Sequence, residues 1–490
     1  MGSWQFIDVN QIAHQAMANY GFISRFPSKV LKEVAGFKEA LGLNSFNHTI
    51  KDLKGLLWSS IDNVDSRDLD QLEYCKRLPN REIKVMIAIA DVDHYVTQGC
   101  PTDQHALHNG TSVYTGFKVF PMIPERLSTD LSSFNEEEER LAIIIEFYVK
   151  KDGSVRHGEV TQGIVHNKAK LVYESVGDWL EGQGPLPEKV SLIKGLKEQL
   201  LLQDEAAQRL KSFRIQNGAL EFETIEARPI IKQGEVRDLV VNKKNRARYV
   251  IENFMIAANG TMVKFLEEKG SAYIQRIVRT PQRWERIVEV AQSLGGRLPP
   301  EPDAKALSDF LMGQRQSDPD HFPDLSLTIV KLLGPGEYVL KEPQKSKLGH
   351  FGLAVYDYTH STAPNRRYVD VIIQRLIKAT LSKETIPYSK ARLQEISQWC
   401  TLRDKAAKKV ERFMRKVAGA VLLRDSLGKI FEAIVTGASE KGTYVRLLSP
   451  PVEGRVIRGE KGMDVGEKVR VRLINLEPEN GYIDFERARR

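Results

Sequence analysis

At 490 residues the chain is too long for a single hydrophobic core, and length alone predicts about three domains. Its 41% hydrophobic and 28% charged residues are ordinary globular composition, which excludes a disordered or fibrous chain. The net charge of +8 is spread along the chain, not gathered in a tail, and favours a polyanionic partner.

Cys75, Cys100 and Cys400 are an odd number without metal-type or CxxC spacing, so three ordinary thiols in a reducing compartment are expected. No apolar run approaches the ~18 to 20 residues of a membrane span. The first six residues carry no signal-peptide pattern, and Phe6 stands where myristoylation wants Ser or Thr. These features predict a soluble, cytoplasmic protein with no membrane association.

Residues 1–50 read as short helices, with Asp8 or Asn10 capping one and Ser28 another. Such a helical adaptor is compatible with a helix-turn-helix, among many other helical hairpins.

Residues 61–71 (IDNVDSRDLDQ) then place Asp62, Asp65, Asp68 and Asp70 close together between apolar flanks. Asp68 and Asp70 are two apart, so an extended chain projects both from one face. Converging carboxylates in an apolar frame repel unless a cation lies between them, and oxygen ligands suit Mg²⁺ or Mn²⁺. The same residues also suit an Asp-rich surface turn.

Strands follow at 69–78 and 83–90, joined by a turn at Pro79, Asn80 and Arg81. The second is apolar on both faces, which predicts a central, buried strand. Further strands are expected at 141–150 and 155–165, around Asp152 and Gly153. Helices are expected at 188–213, 245–269, 283–294 and 303–312, a strand within 333–347, and helices again at 365–382 and 388–420. The last 65 or so residues alternate in five short strands separated by glycine turns, the pattern of an OB-type barrel that binds oligonucleotides.

The acidic stretch resembles the catalytic signature of the ribonuclease II / ribonuclease R (RNB) family of exoribonucleases. Six further segments resemble that family in the same order: residues 89–96 (IADVDHYV), 110–114 (GTSVY) followed by 120–128 (FPMIPERLS), 218–222 (GALEF), 251–259 (IENFMIAAN), 350–354 (HFGLA) and 358–368 (YTHSTAPNRRY). The C-terminal residues resemble the S-one type of RNA-binding OB domain. The fold class implied is an α+β multidomain protein. It would comprise a small helical N-terminal module (1–50), an RNB catalytic domain of mixed sheet and helices (51–422), and a five-stranded OB-type β-barrel (423–490).

The resemblance implies a processive, Mg²⁺-dependent 3′→5′ exoribonuclease, with Mn²⁺ a possible substitute. It would act on single-stranded RNA with a free 3′ end, as a monomer, and release nucleoside 5′-monophosphates. Asp62, Asp68 and Asp70 match the metal-binding positions of a two-metal mechanism, and Asp65 is a candidate outer ligand. Asp70, Arg366 and Glu252 are the catalytic candidates, Arg366 as the contact to the scissile phosphate and Glu252 near the terminal ribose. Pro364 is expected in the first turn of a helix whose N–H groups also face phosphate. Tyr114 and Phe222 match rings that clamp the terminal base, with Arg367 an accessory. Tyr444 matches a stacking aromatic of the barrel, assisted by the charges of Lys441, Arg446, Arg455 and Arg458. Plainer readings stay open: Arg366 as a surface arginine paired with Asp370, Phe222 and Tyr114 as packing residues, Glu252 as a surface glutamate.

Three departures stand out. Family members commonly carry two cold-shock-type OB domains ahead of the RNB domain, for which the lead-in here leaves no room. The acidic signature usually ends Asp-x-Asp-Asp, and here the last position is Gln71, which removes one negative ligand. Asn365 replaces an apolar residue. The rival readings are a non-catalytic RNA-binding protein whose metal ligation is weakened by Gln71, and a single-strand DNA exonuclease.

Overall fold

The computed structural model describes residues 8–37, 50–223, 227–232, 235–241, 244–343, 349–439 and 442–488, so Lys441 lies outside the described residues. It opens with two helices, α1 (Val9–Asn19) and α2 (Ser28–Ala35). Asp8 caps α1 by accepting the Gln11 amide hydrogen at 3.0 Å. Ser28 does not cap α2. It is the first helical residue, and Pro27 holds the cap position.

The main sheet contains β1 (Lys51–Asp52), β2 (Trp58–Asp62), β3 (Gln71–Arg77) and β4 (Ile83–Ala90). After α3 (Pro101–Asn109) and the small pair β5 (Val113–Tyr114) and β6 (Val119–Phe120), it is completed by β7 (Glu139–Val149) and β8 (Val155–Val172). The strand order is β1-β8-β2-β3-β4-β7, and β7 also pairs with β8, so the sheet curls back on itself. As its apolar run requires, β4 is central: it pairs with β3 from Ile83↔Arg77 to Ile89↔Gln71 and with β7 from Ile83↔Val149 to Ala90↔Ala142.

Helices cover this sheet: α4 (Tyr173–Leu180), α5 (Glu188–Leu192) and α6 (Leu196–Gln216). The single helix expected at 188–213 is thus two. Ile193 is extended and Gly195 has φ of 86°, a left-handed conformation that glycine adopts without steric cost. A hairpin, β9 (Ala227–Lys232) and β10 (Glu235–Val241), precedes α7 (Arg246–Glu268), which is capped by Asn245. Next come β11 (Tyr273–Ile277), α8 (Trp284–Ser293), α9 (Ala304–Ser317), α10 (Phe322–Leu333) and β12 (Glu337–Lys341), the last paired with β11. Helix α10 was not anticipated. It buries Phe322, Ile329 and Leu333 against Trp284, Ile287 and Leu307 in a core of its own. Two helices follow, α11 (Tyr368–Ser382) and the 33-residue α12 (Lys390–Leu422).

The C-terminal strands β13 (Ile430–Ser439), β14 (Gly442–Leu447), β15 (Glu453–Arg458), β16 (Lys468–Glu477) and β17 (Tyr482–Arg487) form a closed barrel in the order β13-β14-β15-β17-β16. Ala420 and Leu423, at the end of α12, enter the barrel core with Val445, Leu447 and Phe485. At the other end of the chain, Ala13, Ala16 and Met17 of α1 pack with Val410, Met414 and Val417 of α12. The fold is α+β: a mixed sheet with helices against it, and a closed five-stranded barrel. Among the described residues no helix is long and apolar enough to cross a membrane.

The β7–β8 turn shows how tightly the sheet and helices fit. Gly153 has φ of 85°, and a Cβ there would collide with the Arg209 carbonyl of α6 and lie 2.8 Å from Phe213 Cβ. Gly153→Ala should therefore destabilise the protein by about 2–3 kcal/mol, seen as a lower urea midpoint; an unchanged midpoint would mean the turn can move off α6.

Candidate active site

Strands β2 and β3 pair only at Ser59 and Glu73. Beyond that point they part, and the acidic segment between them is held by other elements. The Ser133 hydroxyl donates to the Arg67 carbonyl (2.8 Å) and accepts the Leu69 amide (3.0 Å). The Phe134 amide donates to the Leu69 carbonyl and the Ala90 amide to the Asp70 carbonyl. From α7, Arg248 donates to Asn63 Oδ1 at 2.9 Å. A loop pinned in so many places has its backbone held in place, and the carboxylates start from fixed points.

Asp70 is 2% exposed. Its Oδ1 accepts the Asn365 backbone N–H at 3.0 Å and its Oδ2 accepts Arg366 Nε at 3.3 Å. Asp68 accepts the Tyr114 hydroxyl at 3.2 Å. Backbone pairing explains why Tyr114 and Arg366 stand together. The Ser112 amide donates to the Arg366 carbonyl and the Tyr368 amide to the Gly110 carbonyl, both at 3.0 Å. Glu411 of α12 then fixes Tyr114 by accepting its amide hydrogen at 3.1 Å.

One expectation about this turn is corrected, and one of the plainer readings is closed. Helix α11 begins at Tyr368 with Arg367 at its cap, so Pro364 lies upstream of the helix, and the amide facing Asp70 is that of Asn365 in the preceding turn. Arg366 is not the partner of Asp370. Arg367 takes that role through two hydrogen bonds of 3.0 and 2.8 Å, which turn its guanidinium to the buried Asp370. The departure at Asn365 is accommodated by a hydrogen bond: its Oδ1 accepts the Ser132 hydroxyl at 2.6 Å.

Asp62, at the end of β2, has a buried Oδ2 with no hydrogen-bond partner among the described residues. The Asp62 and Asp70 carboxyls are both raised to about 7, by burial above all, with Arg366 opposing the shift and the charge of Asp68 adding to it. The Gln71 side chain leans on the Asp62 carboxyl as a neutral neighbour. Asp65 is exposed at the outer edge of the loop.

Asp62, Asp68, Asp70, Tyr114 and Arg366 thus share one place. Phe222 and Glu252 share another, a cavity of about 290 Å³ also lined by Arg214, Tyr249 and His350. Glu252 is half-buried and pairs with Lys244 at 2.7 Å, with Arg214 3.9 Å away. It lies one turn along α7 from Arg248, which is bonded to Asn63 of the acidic loop. Tyr444 is a half-buried ring on the barrel with Lys416 Nζ 5.9 Å from its centroid. Arg446 is corrected: it is buried and ion-paired with Asp324 of α10, so it docks the barrel instead of offering free charge to RNA. Arg455 and Arg458 are exposed.

Sequence reasoning missed Arg248 and Glu411, whose roles come from distant helices and leave no local pattern. It also missed Glu73, although a carboxylate at an alternate position of an apolar strand was a signal in plain view.

Two family models match the chain: the RNB domain over residues 50–383, and the RNase II-type exonuclease C-terminal S1 domain over residues 429–488. Ribonuclease R 1 of Lactococcus lactis is 28% identical over 514 residues, covering 98% of this chain and 61% of the relative. Ribonuclease R of Escherichia coli is 30% identical over 449 residues, covering 88% and 54%. The chain therefore spans little more than half the length of these relatives. Among solved structures, Mycoplasma genitalium RNase R in complex with ribose methylated single-stranded RNA superposes with a TM-score of 0.87 at 20% identity, covering 98% of this chain and 78% of that one. Yeast Ssd1, a pseudonuclease, superposes at 0.72 and 15% identity, covering 92% and 56%. A nuclease and a pseudonuclease share the fold, so catalysis has to be argued from side chains.

The raised carboxyls give a pH signature. Their folded pKa of about 7 lies above the unfolded value of about 3.9, so the stability they lend is full below about pH 4 and lost as pH rises through 7. In chelator, Asp70→Asn should melt a few degrees above the unsubstituted protein at pH 8, with the advantage shrinking as pH falls and gone by about pH 4. A gap independent of pH would mean that Asp70 is ionised throughout.

Proposed function

The chain belongs to the RNB-domain family, and we propose on that basis that it is a processive 3′→5′ exoribonuclease that hydrolyses single-stranded RNA to nucleoside 5′-monophosphates. The observation that carries this reading is the gathering of Asp62, Asp68 and Asp70 around the Arg366 guanidinium and Tyr114, with a buried Asp62 oxygen left without a partner among the described residues. The three-part division into 1–50, 51–422 and 423–490 belongs to the same proposal, supported by the separate core of the barrel.

The donors fit a hard divalent cation in kind, since all are carboxylate oxygens. Among the described residues no three acidic, His or Cys side chains converge closely enough to hold an ion as they stand. Asp68 is turned to Tyr114 and Asp70 to Arg366, so ion binding requires these two carboxylates to turn. When bound, Mg²⁺ would offset charge developing on the phosphate oxygens and activate water, and Mn²⁺ would substitute.

The remaining work falls to the chain's own groups. Arg366 uses only Nε on Asp70, and its side chain is 46% exposed, so its terminal nitrogens are available to grip a phosphate. The Tyr114 ring is exposed beside the acids and offers a stacking platform to any base. Phe222 and Glu252 would receive base and ribose of the 3′ end in their shared cavity, with Glu252 accepting from ribose hydroxyls, a group that DNA lacks at the 2′ position. Arg367 braces the turn through Asp370. Tyr444, Arg455 and Arg458 would hold RNA upstream.

The second reading, a non-catalytic RNA binder, is favoured by Gln71 in place of an acidic ligand. 5′-Labelled single-stranded RNA with Mg²⁺ separates the two. The enzyme shortens it to a ladder of decreasing length; the binder leaves a shifted band intact. Equal turnover of matched DNA would point to a single-strand DNA exonuclease. Asp70→Asn should bind RNA within about twofold of the unsubstituted protein and lose at least about 10³-fold in turnover; retention of most activity would refute the role given to Asp70.

A further inference from the structure

Glu73 lies on β3 two residues beyond Gln71, so both side chains leave the strand on the same side. It is 0% exposed, and neither carboxylate oxygen has a hydrogen-bond partner among the described residues. Its register partner on β2 is Ser59, also 0% exposed with an unpartnered hydroxyl. At the end of β2 stands Asp62 with its unpartnered Oδ2. From α6 the Gln199 amide grips the backbone of Cys75 on the same strand, at 2.9 and 2.7 Å.

Settled interiors satisfy their buried polar groups, and an ionised carboxyl buried without a partner is costly. Several unsatisfied groups around two carboxyls therefore point to a ligand. The acidic neighbour of Glu73 is Asp62, and two buried carboxyls side by side ionise together only with a positive ligand between them. The donors on offer are carboxylate, amide and hydroxyl oxygens, the set that hard divalent ions prefer.

We infer that Glu73, together with Asp62, supplies the carboxylate that this chain lacks at position 71 and holds a second divalent cation beside the one at Asp68 and Asp70. The inference rests on the proposed metal-dependent reading of the acidic loop. It differs from the family pattern in placing the fourth acid one strand alternation further along β3, where the side chain is longer by one methylene and set deeper. Gln71 then remains as a neutral oxygen donor.

The test is Mn²⁺ binding by the full chain without RNA, read by EPR titration and calorimetry. The unsubstituted protein should bind two ions and Glu73→Gln one, with the lost site weakened at least tenfold. Adding Gln71→Asp to Glu73→Gln should restore the second ion. Unchanged stoichiometry and affinity in Glu73→Gln would overturn the role of Glu73 while leaving the metal reading intact. No Mn²⁺ binding by the unsubstituted protein would overturn both. If Glu73→Gln does not fold, a Mn²⁺-soaked crystal of the unsubstituted protein decides the matter: an anomalous peak in bonding contact with the Glu73 carboxylate supports the inference, and peaks only elsewhere refute it.

Discussion

The dominant constraint is electrostatic: several carboxyls are drawn into a low-dielectric interior with the Arg366 guanidinium set among them. Coulomb repulsion between like charges is weakly screened there, so the geometry of the surrounding chain has to impose what the charges resist. The parting of β2 from β3, the Ser133 and Phe134 bonds to the loop, and the Asn365 amide on Asp70 all serve that end. The carboxyls of Asp62 and Asp70 respond by holding protons near neutrality. A protein that spends packing and hydrogen bonds on keeping acids together is built around what those acids bind.

Much of this could be read before any coordinates. The two-faced apolar run of β4 marked the centre of the sheet, and the five alternating strands marked the barrel. The spacing of Asp62, Asp68 and Asp70 marked the loop. What the sequence hid had long-range causes. Helix α10 is an exception: it does carry a helical pattern in Phe322, Leu325, Ile329, Leu332 and Leu333 that was passed over, and Trp284 and Leu307 offer that face its surface. The break at Gly195 splits a stretch whose apolar pattern runs on across it. The pairing of Asp370 with Arg367 and not Arg366 escaped helical spacing, because the helix begins at Tyr368, three residues beyond the expected start at 365.

Charge gives the clearest contrast between composition and structure. A net +8 invites the thought of a basic surface, yet several cations are consumed internally. Arg446 is spent on Asp324, Arg375 on Asp93 and Asp103, Arg367 on Asp370, and Lys378 on Asp91. A buried pair of this kind orders neighbouring elements and contributes little to the outward field. The cations that count for a polyanion are the exposed ones, Arg455 and Arg458 on the barrel, and Arg366, half exposed beside the acids.

Helix α12 has a mechanical role. Its 33 residues make a rod roughly 50 Å long at about 1.5 Å per residue. Glu411 fastens the Tyr114 strand, and five positions later Lys416 lies over the Tyr444 ring, before the rod ends inside the barrel wall. Both aromatic stations are therefore mounted on one stiff beam, which sets their spacing like the jaws of a calliper. The barrel cannot swing without levering on Tyr114, and cutting it away would leave Ala420 and Leu423 bare and the beam loose at one end.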